Sequence, residues 1–567
     1  MTRQSLNTMA PVTICSLSPE ILTRIATHLF FEPECAGRNN PDLFSLALTS
    51  RAISGPALNV LWADLRDLIA LMFTFPPDLV SLSTPSECDC DRQFVLLRAP
   101  KVGDFERFSV NARRVKKIRP HSLRNMIHSS YMIAQDVWNT LLTAAPRPLL
   151  PNLKRVSIRE SSPFYINHYH LNLCSVCTTQ DHPTPCRVML EPFLGPKVEN
   201  IIFEASPDED RLRFAIQNMS RFAPGTQSLG VFSSSSAPIH APNVSILSNI
   251  VEFSLLDIYP DLSAQTLLGL GTLPWLKNLK FGRIPQPEEN WNWNHFHREQ
   301  LFPSLERLEL IVQSPATGVE WSTGFIRTIT SPSLLNISIT HRIDYIVKPL
   351  ITDALYLAFC EAIANLPSKE KISVLALTTS QRQERDAVQN GTASHTIAPL
   401  LQLRQLQELR IDGEGFNLLV DDAMLDAMSR AWPHIRTLQL RSPHPHIPDR
   451  PASDFDFVLP PVHGPGSPRA SLSGLVPLVV RCPGLSELVV AVDTRLRHAR
   501  SVRTLEHPPR ELMTRVSPVE KIYPAGWALG AGKFFDTTAA FLALLFESFR
   551  YCKKPRGAGI AAVGAKS

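Results

Sequence analysis

The sequence predicts an α/β protein in which a short helical segment precedes a long, irregular array of parallel strands and helices. Three observations predict this fold class. An apolar stripe at helical spacing opens the chain, a short strand motif recurs from about residue 150 onward, and many copies of that motif follow a proline. One strand and one helix cannot bury their apolar faces alone, so such units are expected to stack side by side.

The first helix is predicted by residues 16–30, SLSPEILTRIATHLF. Its apolar side chains form one helical stripe: Ile21, Leu22, Ile25 and Leu29. Ser18 stands where an N-cap belongs, Pro19 at the first helical position and Glu20 in the first turn. The spacing therefore predicts a short, well-delimited helix near the start of the chain.

Two further helices are predicted by residues 43–65, LFSLALTSRAISGPALNVLWADL, with Asp42 as the cap of the first. Three short helices give only about 50 residues, which is marginal for independent stability. A neighbouring domain or a partner is expected to complete this helical segment.

These segments resemble an F-box. The residues that carry the resemblance are Leu17, Pro19, Glu20, Ile21, Leu22, Ile25 and Leu29, followed by Leu43, Leu46, Ala47, Leu48, Arg51 and Trp62. Ser18 separates Leu17 from Pro19, which the family's pattern places side by side, and the loop before Asp42 is long.

The resemblance implies an adaptor whose helices bind the Skp1-like linker protein of a cullin-RING ubiquitin ligase. The contacts it implies are Leu17, Pro19, Ile21, Leu22 and Ile25. Leu29, Leu46 and Trp62 are expected to hold the helices together instead. Such an adaptor has no catalysis of its own and needs no cofactor. The alternative is a repeat scaffold for protein–protein interaction outside any ubiquitin ligase.

Residues 76–148 are predicted to form an irregular connector and an amphipathic helix. Phe105, Phe108, Ala112 and Val115 share one face of that helix. The basic residues of the same segment are interpreted as a solvated face near the helix C-terminus: Arg113, Arg114, Lys116, Lys117 and Arg119. The net charge of the whole chain is only +5, which also argues against a nucleic-acid partner.

The strand motif reads apolar, two variable, apolar, one variable, apolar. Copies begin at residues 153, 198, 250, 276, 305, 334, 372, 406, 435 and 485. Those at 276, 305 and 334 are 29 residues apart, as are those at 406 and 435. The period resembles leucine-rich repeats, although the Asn or Cys usual after the strand is mostly missing. Separate α/β domains are the alternative.

The complete pattern resembles F-box proteins with degenerate leucine-rich repeats, of the type expanded in mushroom-forming fungi. It predicts a short N-terminal helical F-box followed by an irregular leucine-rich-repeat solenoid. A protein substrate, which the sequence does not identify, would bind the variable strand positions of the concave face: Ser157, Lys280, Glu309, Ser338, Arg410 and Gln439. Ordinary solvated strand residues are the simpler interpretation of these positions.

The predicted domains follow from these patterns. They are a disordered N-terminus (1–10), an F-box-like helical domain (11–75), the connector and helix (76–148), the solenoid (149–500) with a Pro-rich insertion (442–474), a C-terminal cap (501–550) and a disordered tail (551–567).

A possible metal site is found in CSVCTTQDHPTPC. Its four candidate ligands, at C-x2-C-x4-H-x3-C spacing, are Cys174, Cys177, His182 and Cys186. Three thiolates and one imidazole form a tetrahedral zinc set. Unrelated thiols in a loop between two repeats are a sufficient explanation of the pattern, so no metal is assigned. A zinc enzyme built on this cluster is the remaining functional alternative.

The N-terminus lacks a secretory apolar core, and the run TTAAFLALLFESF is too short to span a bilayer and carries Glu547. The sequence therefore predicts a soluble intracellular protein, cytoplasmic or nuclear, with no membrane partner. Its ten cysteines are then expected to be mostly reduced thiols.

Overall fold

The computed structural model divides the chain into two compact units, Met1–Ser233 and Ser234–Ser567. The residues that the structure describes are 14, 17–30, 41–65, 68–83, 92–118, 131–133, 135–159, 193–204, 209–232, 247–256, 264–284, 293, 300–313, 316–343, 352–381, 392–413, 418–440, 470–471, 473–490 and 521–522. The predicted disordered termini, most of the Pro-rich insertion and nearly all of the predicted cap lie outside them.

The first unit opens with the three helices that the sequence predicts. They are α1 (Pro19–Phe30), α2 (Pro41–Thr49) and α3 (Arg51–Leu61). Their buried side chains form one small core: Leu22, Ala26, Leu43, Ala47, Ile53 and Ala57. Asp42 lies inside the first turn of α2 and not at its cap. Ser50 caps α3, where its Oγ accepts a hydrogen bond from the N–H of Ile53 at 3.4 Å.

The remainder of the first unit contains parallel-paired strands, a separate three-stranded sheet and accompanying helices. Its strands are β1 (Asp64–Leu65), β2 (Val80–Ser83), β3 (Arg92–Leu96), β4 (Lys117–Ile118), β5 (Tyr131–Ile133), β6 (Arg155–Arg159), β7 (Asn200–Glu204) and β8 (Ser228–Phe232). Its helices are α4 (Ile69–Met72), α5 (Glu106–Ala112), α6 (Gln135–Ala144) and α7 (Glu209–Phe222). Strands β1, β4, β6, β7 and β8 pair in that order, all parallel.

The segment 76–148 is more regular than the sequence predicts. β2 pairs antiparallel with β3, and β3 pairs parallel with β5. The predicted amphipathic helix ends at Ala112, and the chain then turns into β4. Lys116 and Lys117 both donate their N–H to the carbonyl of Ala63, so this segment pairs with β1 and joins the sheet as a strand. The basic residues 113–117 consequently lie on a turn and a strand, not on a helix face.

The second unit continues the same alternation. Its strands are β9 (Glu252–Leu256), β10 (Asn278–Ile284), β11 (Arg307–Gln313), β12 (Asn336–Ile343), β13 (Val374–Gln381), β14 (Thr392–Ala393), β15 (Glu408–Gly413), β16 (Leu418–Leu419), β17 (Thr437–Leu440), β18 (Glu487–Val490) and β19 (Lys521–Ile522). Its helices are α8 (Ala264–Gly271), α9 (Ala316–Thr328), α10 (Asp353–Ala364), α11 (Asp422–Ala431) and α12 (Val476–Arg481), with a 3-10 helix at Ser394–Gln402. β9 to β13, β15 and β17 to β19 pair in chain order, all parallel, and β14 pairs with β16 apart from them.

A turn with proline at its second position comes before several of these strands. In Phe302–Leu305 and Trp432–Ile435 the N–H of the fourth residue donates to the carbonyl of the first, at 3.4 and 3.1 Å. Proline occupies the second position of both turns, where its fixed φ suits a type I turn and its missing N–H is not needed. The first and fourth residues are buried, so each turn is anchored in the core at both ends.

The side chains at the last two apolar positions of the motif point into the core. In β11 these are Leu308 and Leu310, which align in register with Ile337 and Ile339 of β12. All ten motif copies form strands, which confirms an α/β solenoid of the leucine-rich-repeat type. The pattern missed β8 because its first motif position holds Thr226, whose buried hydroxyl donates to backbone carbonyls. Among the described helices, none combines the length and the apolarity needed to cross a bilayer.

Candidate protein-binding surfaces

Helix α2 carries apolar side chains on two faces. Leu43 and Ala47, four residues apart, lie in the core of the helical segment. Phe44 and Leu48, one position further on, are 55% and 71% exposed. A surface helix normally has a single apolar stripe, so the second stripe makes this face of α2 a candidate contact surface.

Helix α1 adds exposed apolar residues of its own. Ile21 is 46% exposed, and Pro19 at the start of the helix is exposed as well. We call Pro19, Ile21, Phe44 and Leu48 the exposed apolar set of α1 and α2. They are the candidate contacts of the helical segment, since burying a large apolar side chain is worth about 1.5–3 kcal/mol.

The residues implied as linker contacts do not all lie at this surface. Leu17 and Ile25 are half-buried, and Leu17 packs against the helical core. Leu22 departs from the expectation: it is 4% exposed and lies in that core, so its side chain is not available to a partner. Phe44 was not anticipated as a contact. Its signal in the sequence is the adjacent pair of apolar stripes in LFSLAL.

The start of α1 is held by polar contacts. The carbonyl oxygen of Ser18 accepts a hydrogen bond from the N–H of Leu22 at 3.0 Å. The pKa of Glu20 is lowered because its carboxylate accepts hydrogen bonds from its own backbone N–H and from the side chain of Ser18. A carboxylate in the first turn also complements the helix dipole. These contacts fix where Pro19 and Ile21 are presented.

The exposed face of the sheet in the second unit is the other candidate surface. One in-register row crosses it and ends at two buried residues, Gln439 and Val489; the residues before them are Ser254, Lys280, Glu309, Ser338, Ala376 and Arg410. The structure thus brings five of the six predicted substrate positions together. Ser157 lies in the first unit, in register with Ile202. Gln439 differs from the prediction because it is only 6% exposed.

The charges along this row are largely paired with neighbours. Lys280 Nζ lies 2.6 Å from Glu309 Oε1, and Arg410 Nε lies 2.6 Å from Glu408 Oε1. Such exposed pairs contribute at most about 1 kcal/mol each, but they leave little unbalanced charge. Between the two pairs, Ser338 and Ala376 form a small, uncharged patch. The row therefore suits a partner that is recognised by shape and hydrogen bonds.

No metal centre is seen within the residues that the structure describes: no group of three or more His, Cys, Asp or Glu there could hold an ion. The zinc candidates Cys174, Cys177, His182 and Cys186 lie outside those residues.

A serine and a histidine meet inside the second unit. Ser322 Oγ lies 3.3 Å from Nε2 of His341, and both side chains are fully buried. Burial lowers the pKa of His341 to about 4 and raises the pKa of the nearby Cys360 thiol to about 12. The imidazole and the thiol are therefore neutral at pH 7. Because neither Ser322 nor His341 reaches solvent, we assign their contact to packing between β12 and α9.

No protein-family model and no curated protein matches the sequence. Among solved structures, the chain is similar to an internalin from Listeria monocytogenes. The two share 10% sequence identity, the alignment covers 77% of this chain and 87% of that one, and the TM-score is 0.34. The fold class itself rests on the strand order and register described above.

Proposed function

We propose that the chain is the substrate-recognition adaptor of an SCF-type (Skp1–cullin–F-box) ubiquitin ligase. Its N-terminal helices bind a Skp1-like linker, through it the cullin-RING ligase, and its repeats bind a protein substrate. The observation that carries the proposal is the second apolar face of α2, where Phe44 and Leu48 are exposed beside a formed core. The sequence resemblance to an F-box, which covers the same helices, supports it.

The exposed apolar set is more than the helices need for their own stability. The core of the segment is closed without these side chains, because Leu43, Ala47 and their neighbours fill it. Large apolar residues that do not serve the fold are costly in water, and they favour association instead. Central anchors of such an interface contribute about 2 kcal/mol or more each.

The test is co-expression of the full chain with a Skp1 homologue, followed by affinity capture of the tagged linker. We expect the chain to co-purify in near-equal amount. Phe44→Asp combined with Leu48→Asp should reduce capture at least about tenfold, because charges replace the anchors. Leu97→Asp combined with Val102→Asp is the matched control, since both residues are exposed and apolar but lie outside α1–α3. Equal capture of all three proteins would contradict the proposal.

A second pair of variants separates binding from folding within α1. Ile21→Asp places a charge at an exposed site and should weaken linker capture while leaving the circular dichroism spectrum unchanged. Leu22→Asp buries a charge in the helical core and should cost about 3 kcal/mol or more of unfolding free energy. Thermal unfolding of both variants checks this. Equal loss of stability in the two would show that Ile21 serves the fold and not a partner.

The alternative is a repeat scaffold that acts outside any ubiquitin ligase. It is favoured if the folded chain captures no linker, in which case the exposed sheet face of the second unit becomes the surface to test. The zinc-enzyme alternative is checked by metal analysis of the purified chain, and a content well below one zinc per chain ends it. As a ligase adaptor, the chain would work without a cofactor, in the cytoplasm or the nucleus.

A further inference from the structure

Basic side chains gather at one edge of the sheet in the first unit. They come from the turns before β4, β6 and β7 and from the first residues of β4 and β6. We call this group the basic surface: Arg113, Arg114, Lys116, Lys117, Lys154, Arg155 and Lys197. Five of them are exposed and two, Arg114 and Lys117, are half-buried. The sequence scatters these residues over 85 positions, and only the stacking of strands brings them together.

The strand register sets their spacing. Lys117 is in register with Arg155, and the N–H groups of Lys154 and Arg155 both donate to the carbonyl of Lys116, at 2.8 and 3.0 Å. Neighbouring strands lie about 4.8 Å apart, so the two rows of charge run side by side across β4 and β6. Backbone pairing fixes the spacing of the Cα atoms in these two rows.

Side-chain hydrogen bonds connect the turns that carry the outer members. Asn152 Nδ2 donates to the carbonyl of Arg113 at 2.7 Å, and Lys197 Nζ donates to Asn152 Oδ1 at 2.7 Å. One asparagine thus links three successive turns of the sheet edge. The turns that carry the basic surface are held together before any partner arrives, which lowers the entropic cost of binding.

Acidic residues balance only part of this charge. Glu199 pairs with Lys154 at 2.8 Å, and Asp64 lies on β1 in register with Lys117. Within the described residues, Lys116, Lys117 and Arg155 form no ion pair. The equivalent pair in the second unit, Lys277 and Glu306, lies just before β10 and β11 and is also 2.8 Å apart. The first unit therefore presents an unbalanced positive surface on a chain whose net charge is small.

We propose that the basic surface binds an extended segment of a partner protein that is rich in Asp and Glu. The positive charges are distributed over two strands and three turns and do not converge on one point, so they match many separate carboxylates better than a single phosphate. All members of the basic surface are Lys or Arg and none is aromatic, so the group itself offers bases no stacking platform. That this segment marks a ubiquitylation substrate rests on the proposed function, whereas binding itself does not.

The experiment is fluorescence anisotropy of a short labelled Asp/Glu-rich peptide titrated with the full chain, without any linker protein. Affinity should fall steeply with added salt, and the Asn/Gln version of the peptide should not bind. Lys116→Glu combined with Arg155→Glu should weaken binding about tenfold or more. Lys369→Glu combined with Lys371→Glu in the second unit makes the same change in net charge and should leave binding unchanged.

Other probes decide between this proposal and its rivals. The rival probes are a single-stranded oligonucleotide and a peptide with one phosphoserine and no carboxylate. If either binds more tightly than the acidic peptide, and the Lys116/Arg155 variant abolishes that binding, the assignment is overturned. Equal binding of the acidic peptide by the variant and the Lys369/Lys371 control also overturns it. Arg113→Glu combined with Lys197→Glu provides a second variant should the first alter the unfolding temperature. Linker capture is scored separately, so either proposal can fail alone.

Discussion

His341 shows how a single residue can place a polar group in an otherwise apolar layer. β12 alternates Ile337, Ile339 and then His341 on its inward face, and all three side chains are buried. The imidazole packs against the Phe359 ring at 5.6 Å between centroids. Its Nε2 lies near Ser322, while Nδ1 has no hydrogen-bond partner within the described part of the chain. Such a site strongly disfavours the charged imidazolium.

Stability should therefore fall as the pH drops below neutrality. Burial lowers the pKa of folded His341 to about 4, whereas an unfolded histidine titrates near 6.5. The unfolded state then binds the proton first, and unfolding becomes easier between about pH 6.5 and pH 4, by about 2 kcal/mol at pH 5. Urea unfolding at pH 7 and pH 5 measures this difference. In His341→Asn the pH-dependent part should shrink by that amount, and an unchanged difference would assign it to other groups.

At the residue scale, the sequence predicted which side chains of a strand point inward but not what covers the other face. Alternation placed Leu308 and Leu310 in the core correctly. It also placed Gln439 outward, yet that residue is buried. Likewise, Ile21 and Leu22 belong to one apolar stripe, and only the packing of α1 against α2 and α3 decides which of the two enters the core.

At the element scale, side-chain caps define the starts of α3, α10 and α11. Asp421 accepts a hydrogen bond from the N–H of Met424 at 2.8 Å at the start of α11, and Thr352 caps α10 in the same manner. The first turn of a helix has N–H groups without intrahelical partners, and these caps satisfy one of them. Each cap also fixes the point at which the chain leaves a strand loop and enters a helix.

Replacing the cap of α11 should have a measurable cost. Asp421→Ala removes the acceptor for the Met424 N–H and is expected to lower the unfolding free energy by about 1 kcal/mol. Asp421→Asn keeps an oxygen at the same position and should be close to neutral. Chemical denaturation of both variants provides the measurement, and equal effects of alanine and asparagine would show that the cap does not contribute.

Elements with a strong local pattern were predictable, and elements that depend on distant partners were not. The ten motif copies form strands because the apolar spacing and the preceding turn are both encoded within a few neighbouring residues. The helix predicted up to Arg119 fails after Ala112, since the next residues pair with β1, about 50 positions earlier. β2 and β3 were missed for the same reason: their pairing is a property of the fold and leaves no period in the sequence.

At the scale of the whole molecule, one backbone pattern recurs along the stack. In the second unit, the N–H groups of Ser373 and Val374 both donate to the carbonyl of Leu335. Those of Gln407 and Glu408 donate in turn to the carbonyl of Ser373. Each strand thus bonds only to its immediate neighbours, so stability is expected to be transmitted from one repeat to the next and to weaken with distance.

A cavity in one strand should therefore act locally. Leu409 of β15 is fully buried, and Leu409→Ala is expected to cost about 2–5 kcal/mol because the core cannot close completely around the missing atoms. Hydrogen exchange should rise most in β13, β15 and β17, less in β11, and not at all in β6 to β8 of the first unit. Arg410→Ala, one residue further along and exposed, is the matched control and should change little. A uniform rise across both units would instead show that the chain unfolds as one cooperative body, in which case substitutions in the repeats would also impair linker capture by the N-terminal helices.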